Sequence, residues 1–206
     1  MLNQEILSIS IPSLHPDDPV LLAREAMEDH HVAHLPVTLD HKLLGMVSED
    51  SLLNADAEDI PIDLLRSSFS AAAVQGGDHI LETLQVFNEF NLTLIPVINK
   101  ERDYLGSITS VELLKNVGKL IGSGDPGAIL VLELDKINFS FAEISKLVET
   151  NDAQITQLNT YVEPGTTSFY ITLRINKLEI SDIIATFQRY EYKIKYYFGE
   201  EHYDNE

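Results

Sequence analysis

LPVTLDHKLLGMVSED occupies residues 35–50, and IPVINKERDYLGSITSVE occupies residues 95–112. Leu35-Pro36-Val37 aligns with Ile95-Pro96-Val97 at an offset of 95 − 35 = 60. In each stretch a short apolar strand meets a polar turn, Asp40-His41 or Asn99-Lys100-Glu101-Arg102-Asp103. A return strand follows, interrupted by Gly45 or Gly106, where a side chain would be awkward at a bulge or a close backbone approach. Ser48 and Thr109 then stand as helix caps, and Thr109 with Glu112 fits the capping box Thr-x-x-Glu.

The same register runs backwards. Val20, Leu21, Ala26, Met27 and Val32 fall on Ile80, Leu81, Val86, Phe87 and Leu92. Spacings close to whole helical turns predict two amphipathic helices with matching apolar faces. Asp17-Asp18 and Asp78 are the expected N-caps. Each copy therefore reads strand, helix, strand, strand, helix. At about 50 residues neither copy buries an adequate core alone, whereas two side by side do.

Composition narrows the function classes. Among 206 residues, 44% are hydrophobic and 23% charged, as in an ordinary globular protein. Fourteen basic against 33 acidic residues give a net charge of −19, which repels phosphate backbones and anionic lipid. No nucleic-acid partner and no membrane insertion are expected. With no cysteine, disulfides, thiolate nucleophiles and sulfur-ligated zinc are excluded. The opening MLNQEILSISIPSL lacks a basic segment and a long apolar run, so no signal peptide is expected, and a cytoplasmic location is.

The x-Pro-Val strand, the turn, and Gly-x-Val-Ser or Gly-x-Ile-Thr leading into a helix resemble the CBS domain, named for cystathionine β-synthase. Two in tandem resemble a CBS pair, or Bateman module. The resemblance covers roughly residues 6–118. It implies an α+β fold (an α/β sandwich) of tandem repeats with pseudo-two-fold symmetry, repeat 1 over residues 1–64 and repeat 2 over 65–120. It also implies an adenosine-type ligand (AMP, ADP, ATP or S-adenosylmethionine) in a cleft between the repeats, and a homodimer. No obligate cofactor is implied.

In the family pattern Gly-x-Ile/Val-Thr/Ser-x-x-Asp, the terminal acid holds the ribose, as an acceptor-only carboxylate suits two hydroxyls. Backbone N–H groups at the helix start suit a phosphate. Gly106, Ile108 and Thr109 match, with Glu112 at the acid position. Gly45, Val47 and Ser48 match in the first repeat, but Ser51 holds the acid position, with Asp50 beside it out of phase. The resemblance thus implies a nucleoside site around Thr109 and Glu112, and a second around Ser48 that departs from the pattern. The base is expected against Leu94 and Ile95 in one half and His34 and Leu35 in the other, with Ser70 and Ala71 near the cleft. The alternative is that Thr109 and Glu112 only cap a helix. The lack of Lys or Arg beside either motif weighs against a triphosphate.

After Val117 the pattern changes. Gly122-x-Gly124-x-x-Gly127 matches a dinucleotide fingerprint formally, but it follows a helix and contains Pro126, so residues 121–127 read as a linker. Residues 128–199 read βαββαβ, a ferredoxin-like order. Phe141, Ile144, Leu147 and Val148 form one helix face, Ile180, Ile183, Ile184 and Phe187 another, and Phe169, Ile171, Leu173 and Ile175 alternate along a half-buried strand. This order resembles the ACT domain, without its Pro-Gly after the first strand, where Lys136-Ile137-Asn138-Phe139 stands. Residues 200–206 read as an acidic tail. The whole arrangement resembles the acetoin-utilisation protein B type of CBS protein.

His30, His31 and His34 lack the continuous helix that would make them converge on a metal, because Pro36 stops it. No metal site is expected. No Gly-x-Ser-x-Gly elbow, Walker loop or His-Glu-x-x-His helix is present, so no catalytic residue is expected. The sequence favours a non-catalytic sensor that relays ligand binding to the ACT-like domain or to a regulated enzyme or transporter. A dimerising or docking scaffold with degenerate clefts is the alternative.

Overall fold

Helical and alternating periodicities become elements at the expected places in a computed structural model, which describes residues 1–8, 10–135 and 139–200. Residue 9, the Lys136-Ile137-Asn138 stretch and residues 201–206, read above as an acidic tail, lie outside the described residues. The chain divides into two units, Met1–Leu120 and Ile121–Glu206.

In the first unit, α1 (Val20–His30), β1 (His34–Leu39), β2 (Lys42–Ser48) and α2 (Glu49–Leu53) are followed by β3 (Val74–Gln75), α3 (Ile80–Phe90), β4 (Leu94–Ile98), β5 (Tyr104–Thr109) and α4 (Ser110–Leu120). β1 pairs antiparallel with β2, and β4 with β5. Val37 faces Gly45 and Val97 faces Gly106, and in both hairpins the register slips at the next residue. The slip leaves one extra residue, Leu44 or Leu105, so each glycine follows a bulge. The strand expected before each helix is short: β3 pairs parallel with β4, and Leu14 alone bridges Val37.

The helices bury Val20, Ala23 and Met27 in one copy and Ile80, Thr83 and Phe87 in the other. Leu21 and Leu81, also assigned to the apolar faces, are exposed at equivalent positions. The caps differ from expectation. Pro19 is the N-cap of α1 and His79 that of α3, where the ring Nδ1 accepts from the Leu81 amide at 3.3 Å. Asp18 and Asp78 stand one residue too early, and the Asp18 carboxylate accepts the His15 amide instead, at 2.7 Å.

The segments before the repeats cross over. Residues of the N-terminal arm dock on the second repeat: the Asn3 amide donates to Asp78 O at 3.0 Å and the Ser8 amide to Ser107 O at 2.7 Å. Ile6 belongs to the core formed by Ile80, Ile95, Val97 and Ile108. Conversely, Ser70 exchanges both backbone hydrogen bonds with Met46 of the first repeat, at 2.8 and 2.9 Å. The glycines make room for these arms. A Cβ on Gly45 would lie 2.9 Å from Phe69 Cβ, and one on Gly106, whose φ is +145°, would lie 3.2 Å from Leu7.

The second unit follows the βαββαβ order: β6 (Ala128–Asp135), α5 (Phe141–Glu149), β7 (Ile155–Val162), β8 (Ser168–Ile175), α6 (Ser181–Arg189) and β9 (Lys193–Phe198). Its sheet has order β7-β8-β6-β9 with every neighbour antiparallel. Ile144, Leu147, Val148, Ile183 and Phe187 pack on Phe169, Ile171, Leu173 and Ile175 in one core. Phe141 is the exception on its helix face: it is exposed and meets the Phe139 ring edge-on at 5.0 Å. No helix opens after Gly127, where β6 begins, unlike a dinucleotide-binding turn.

Asn3 fixes the crossed arm. Fully buried, it donates through Nδ2 to Gln75 O at 2.8 Å and accepts from Thr83 Oγ1 at 2.7 Å. Asn3→Ala should destabilise the protein by about 2 kcal/mol in urea unfolding, because the Thr83 hydroxyl is left buried and unpaired. The double variant Asn3→Ala/Thr83→Val should lose less than the sum of the single losses, and additive losses would contradict this role.

Candidate functional site

A cleft of about 650 Å³ lies between the two repeats of the first unit. One wall is the end of α1 and the turn after it, with Asp29, His30 and His31. The other is the start of α4, with Thr109, Ser110 and Glu112, and the N-terminal arm adds Ser8 and Ser10. The position of the α4 wall follows from the hairpin: Thr109 ends β5, and its Oγ1 accepts the Glu112 amide at 3.1 Å, capping the helix. The capping box is only half made. The Thr109 amide points to Ser8 Oγ at 3.4 Å, and Glu112 Oε1 accepts from Asn116 Nδ2 at 2.7 Å. Lys115 Nζ lies 3.5 Å from Glu112 Oε2. The expected cap and the expected cleft position of Glu112 therefore coexist.

Several of the backbone donors expected for a phosphate are engaged. The Ser110 amide donates to Thr93 O at 3.0 Å, and those of Thr109 and Glu112 go to hydroxyls. In the first repeat the Glu49 amide donates to Ala33 O at 2.9 Å and the Ser51 amide to Ser48 Oγ at 3.2 Å. Each strand-to-helix corner folds back on the residue before the first strand of its hairpin.

A second cleft of about 560 Å³ is lined by Arg24, Glu28, Glu49 and Glu58 along with His31 and Thr93. Arg24 is ion-paired with Glu58. Ser48, Asp50 and His34 are not among its lining residues. Ser48 Oγ instead lies 2.9 Å from Ser51 Oγ, and Asp50 is exposed.

Leu35, Leu94 and Ile95, expected against a base, are fully buried. Leu35 and Leu94 share one core and Ile95 lies in the other, so their side chains present no surface to a cleft. Ser70 and Ala71 are exposed, and Ser70 lies on the β2 edge of the first repeat, away from both clefts. His34 has a different task. Its Nδ1 lies 3.0 Å from Thr93 Oγ1, which also accepts the Ala33 amide at 2.9 Å. Thr93 lines both clefts, as do His31 and Val32. Thr93 carries no motif signal, because it matters through Ala33 and His34, about sixty positions away, and Asp29 none, because only the fold sets it across the cleft from α4.

Among the described residues, no group of three or more His, Asp or Glu side chains is placed to hold a metal ion. No helix of the described residues is long and apolar enough to cross a membrane.

The CBS domain family model matches residues 4–58. A solved CBS domain pair/ACT domain protein from Thermotoga maritima superposes with a TM-score of 0.53 at 18% identity, covering 59% of this chain and 99% of that one. A Vibrio cholerae protein described as an acetoin utilization protein superposes with a TM-score of 0.51 at 20% identity, covering 61% and 98%. A CBS domain pair solved with 5′-methylthioadenosine and S-adenosyl-L-methionine reaches 0.48 at 18% identity, covering 58% and 98%.

Burial holds the His34 imidazole below its ordinary pKa of 6.5, and the Asp50 and Glu49 carboxylates only partly offset this. Folding therefore favours neutral His34. As pH falls below 6.5, the unfolded chain takes up this proton first, so the stabilisation present above 6.5 is lost on the way down to the folded value. The loss of unfolding free energy between pH 7.5 and 5.5 should be smaller in His34→Gln than in the parent protein. Equal losses in paired urea titrations would contradict the role of burial.

Proposed function

From a CBS domain at residues 4–58 and the fold of a CBS domain pair, we propose a non-catalytic regulatory protein that binds an adenosine-type ligand between its repeats. The observation that carries this reading is the pair Thr109 and Glu112 on the wall of the 650 Å³ cleft. The carboxylate offers acceptors for a ribose diol and the hydroxyl a further polar contact. The cleft's residues come from α1, α4 and the crossed arm, so a ligand seated there touches both repeats. Binding that favours one arrangement of the repeats shifts their equilibrium by the difference in affinity for the two arrangements.

The βαββαβ order and the antiparallel sheet support an ACT-like second unit that receives this change or passes it to an enzyme or transporter. We further read the protein as a cytoplasmic homodimer with its repeats related by a pseudo-two-fold. Support for dimerisation comes from Val111 and Leu114, which leave more than 70% of their surface exposed, one turn apart on α4. An isologous interface would cover such a strip in both copies.

Thermal unfolding with AMP, ADP, ATP and S-adenosylmethionine tests the reading. At least one should raise Tm, by the equivalent of about 2.7 kcal/mol at a hundredfold excess over Kd. The rise should disappear in Glu112→Ala and shrink in Thr109→Ala. A flat response to every adenosine compound would favour a dimerisation or docking scaffold with degenerate sites.

A further inference from the structure

The Thr109–Glu112 cleft carries a charge pattern that discriminates among adenosine compounds. Two carboxylates, Asp29 and Glu112, face it from opposite walls. Among its described lining residues there is no lysine or arginine. Lys115, the nearest cation on α4, is paired with Glu112 and largely exposed rather than part of the lining. Most of the second source of positive potential, the start of α4, is engaged: the amides of residues 109, 110 and 112 already donate to Ser8, Thr93 and Thr109. What remains for the ligand is a set of hydroxyls from Ser8, Ser10, Thr109 and Ser110, two carboxylates, and the imidazoles of His30 and His31.

Hydroxyls and carboxylates suit a ribose and a neutral or cationic group. The hydroxyls can also donate to a phosphate, but the carboxylates repel one. A phosphate here meets the Asp29 carboxylate, beside a Glu112 carboxylate that Lys115 partly offsets from outside the lining, whereas a sulfonium or ammonium is attracted. One like charge about 4 Å from a carboxylate costs about fivefold in affinity even at water-like screening, and more where the cleft excludes water. We propose that this cleft selects adenosine compounds bearing no net negative charge at the 5′ end, a nucleoside or a sulfonium derivative, over AMP and ATP. The inference rests on the adenosine reading of the same cleft and narrows it.

Calorimetric titration of the full chain with adenosine, S-adenosylmethionine, AMP and ATP tests it. The titrations are run at low salt and pH 8. S-adenosylmethionine and adenosine should bind, AMP at least fivefold more weakly than adenosine, and ATP more weakly again. Added salt should narrow these gaps. Asp29 is exposed, so Asp29→Asn should fold normally, and it should weaken S-adenosylmethionine about fivefold while narrowing the gap between adenosine and AMP. AMP or ATP binding more tightly than adenosine, with the signal lost in Glu112→Gln, would overturn the charge selection and leave the adenosine cleft standing. Absence of binding by all four would overturn the adenosine reading and the selection with it.

Discussion

The first unit depends on an exchange of backbone between its two halves. The arm that precedes the first repeat completes the second, through Ser8 and Ser107, and the segment that precedes the second completes the first, through Ser70 and Met46. These bonds satisfy return-strand edges that would otherwise face water or another chain. The exchange is possible because Gly45 and Gly106 present no Cβ where the arms pass. Two half-sized cores, each with too few buried residues to be independent, become one cooperative body. Leu94 makes the same point from inside: it begins a strand of the second hairpin, yet packs in the first repeat's core with Leu35 and Met46.

The candidate site is a product of that exchange. Ser8 reaches Thr109 only because the arm crosses over, so a polar wall is assembled from segments a hundred residues apart. Thr93 stands at the other side of the same construction. It ties the Ala33 amide and the His34 ring of one repeat to the start of a strand in the other, and it borders both clefts. A ligand in either cleft therefore meets a residue shared with its neighbour. Whether the clefts communicate is decided by the difference in ligand affinity between arrangements of the repeats, and not by proximity alone.

Much of this was legible in the sequence, and the limits have physical causes. The paired hairpins, their glycines and the Ser48 and Thr109 caps are local features, in which residue type and spacing determine the geometry. The helix faces were readable for the same reason, apart from Leu21, Leu81 and Phe141, where apolar residues stay exposed. The helix N-caps were misplaced by a single residue, because Pro19 and His79 intervene between the acids and the helices. Leu35, Leu94 and Ile95 were expected to face a ligand because their strands precede the Pro-Val motif. Those strands are covered on both sides, and all five residues of β4 are buried. The crossed arms left no trace, since hydrogen bonds between Ser8 and Ser107 or between Asn3 and Thr83 link positions with no sequence relation. The engagement of the α4 start was hidden for the same reason: the Ser110 and Thr109 amides donate to Thr93 and Ser8, which are distant in the chain.

Amide hydrogen exchange across residues 1–120 tests the crossed-arm construction most directly. If the repeats are one cooperative body, the amides of Ser8, Met46 and Ser70 and those of both hairpins open together, with one shared free energy. If the arm and the second hairpin exchange at a much lower free energy than the first hairpin, the halves fold separately, and the cleft between them is not a built site.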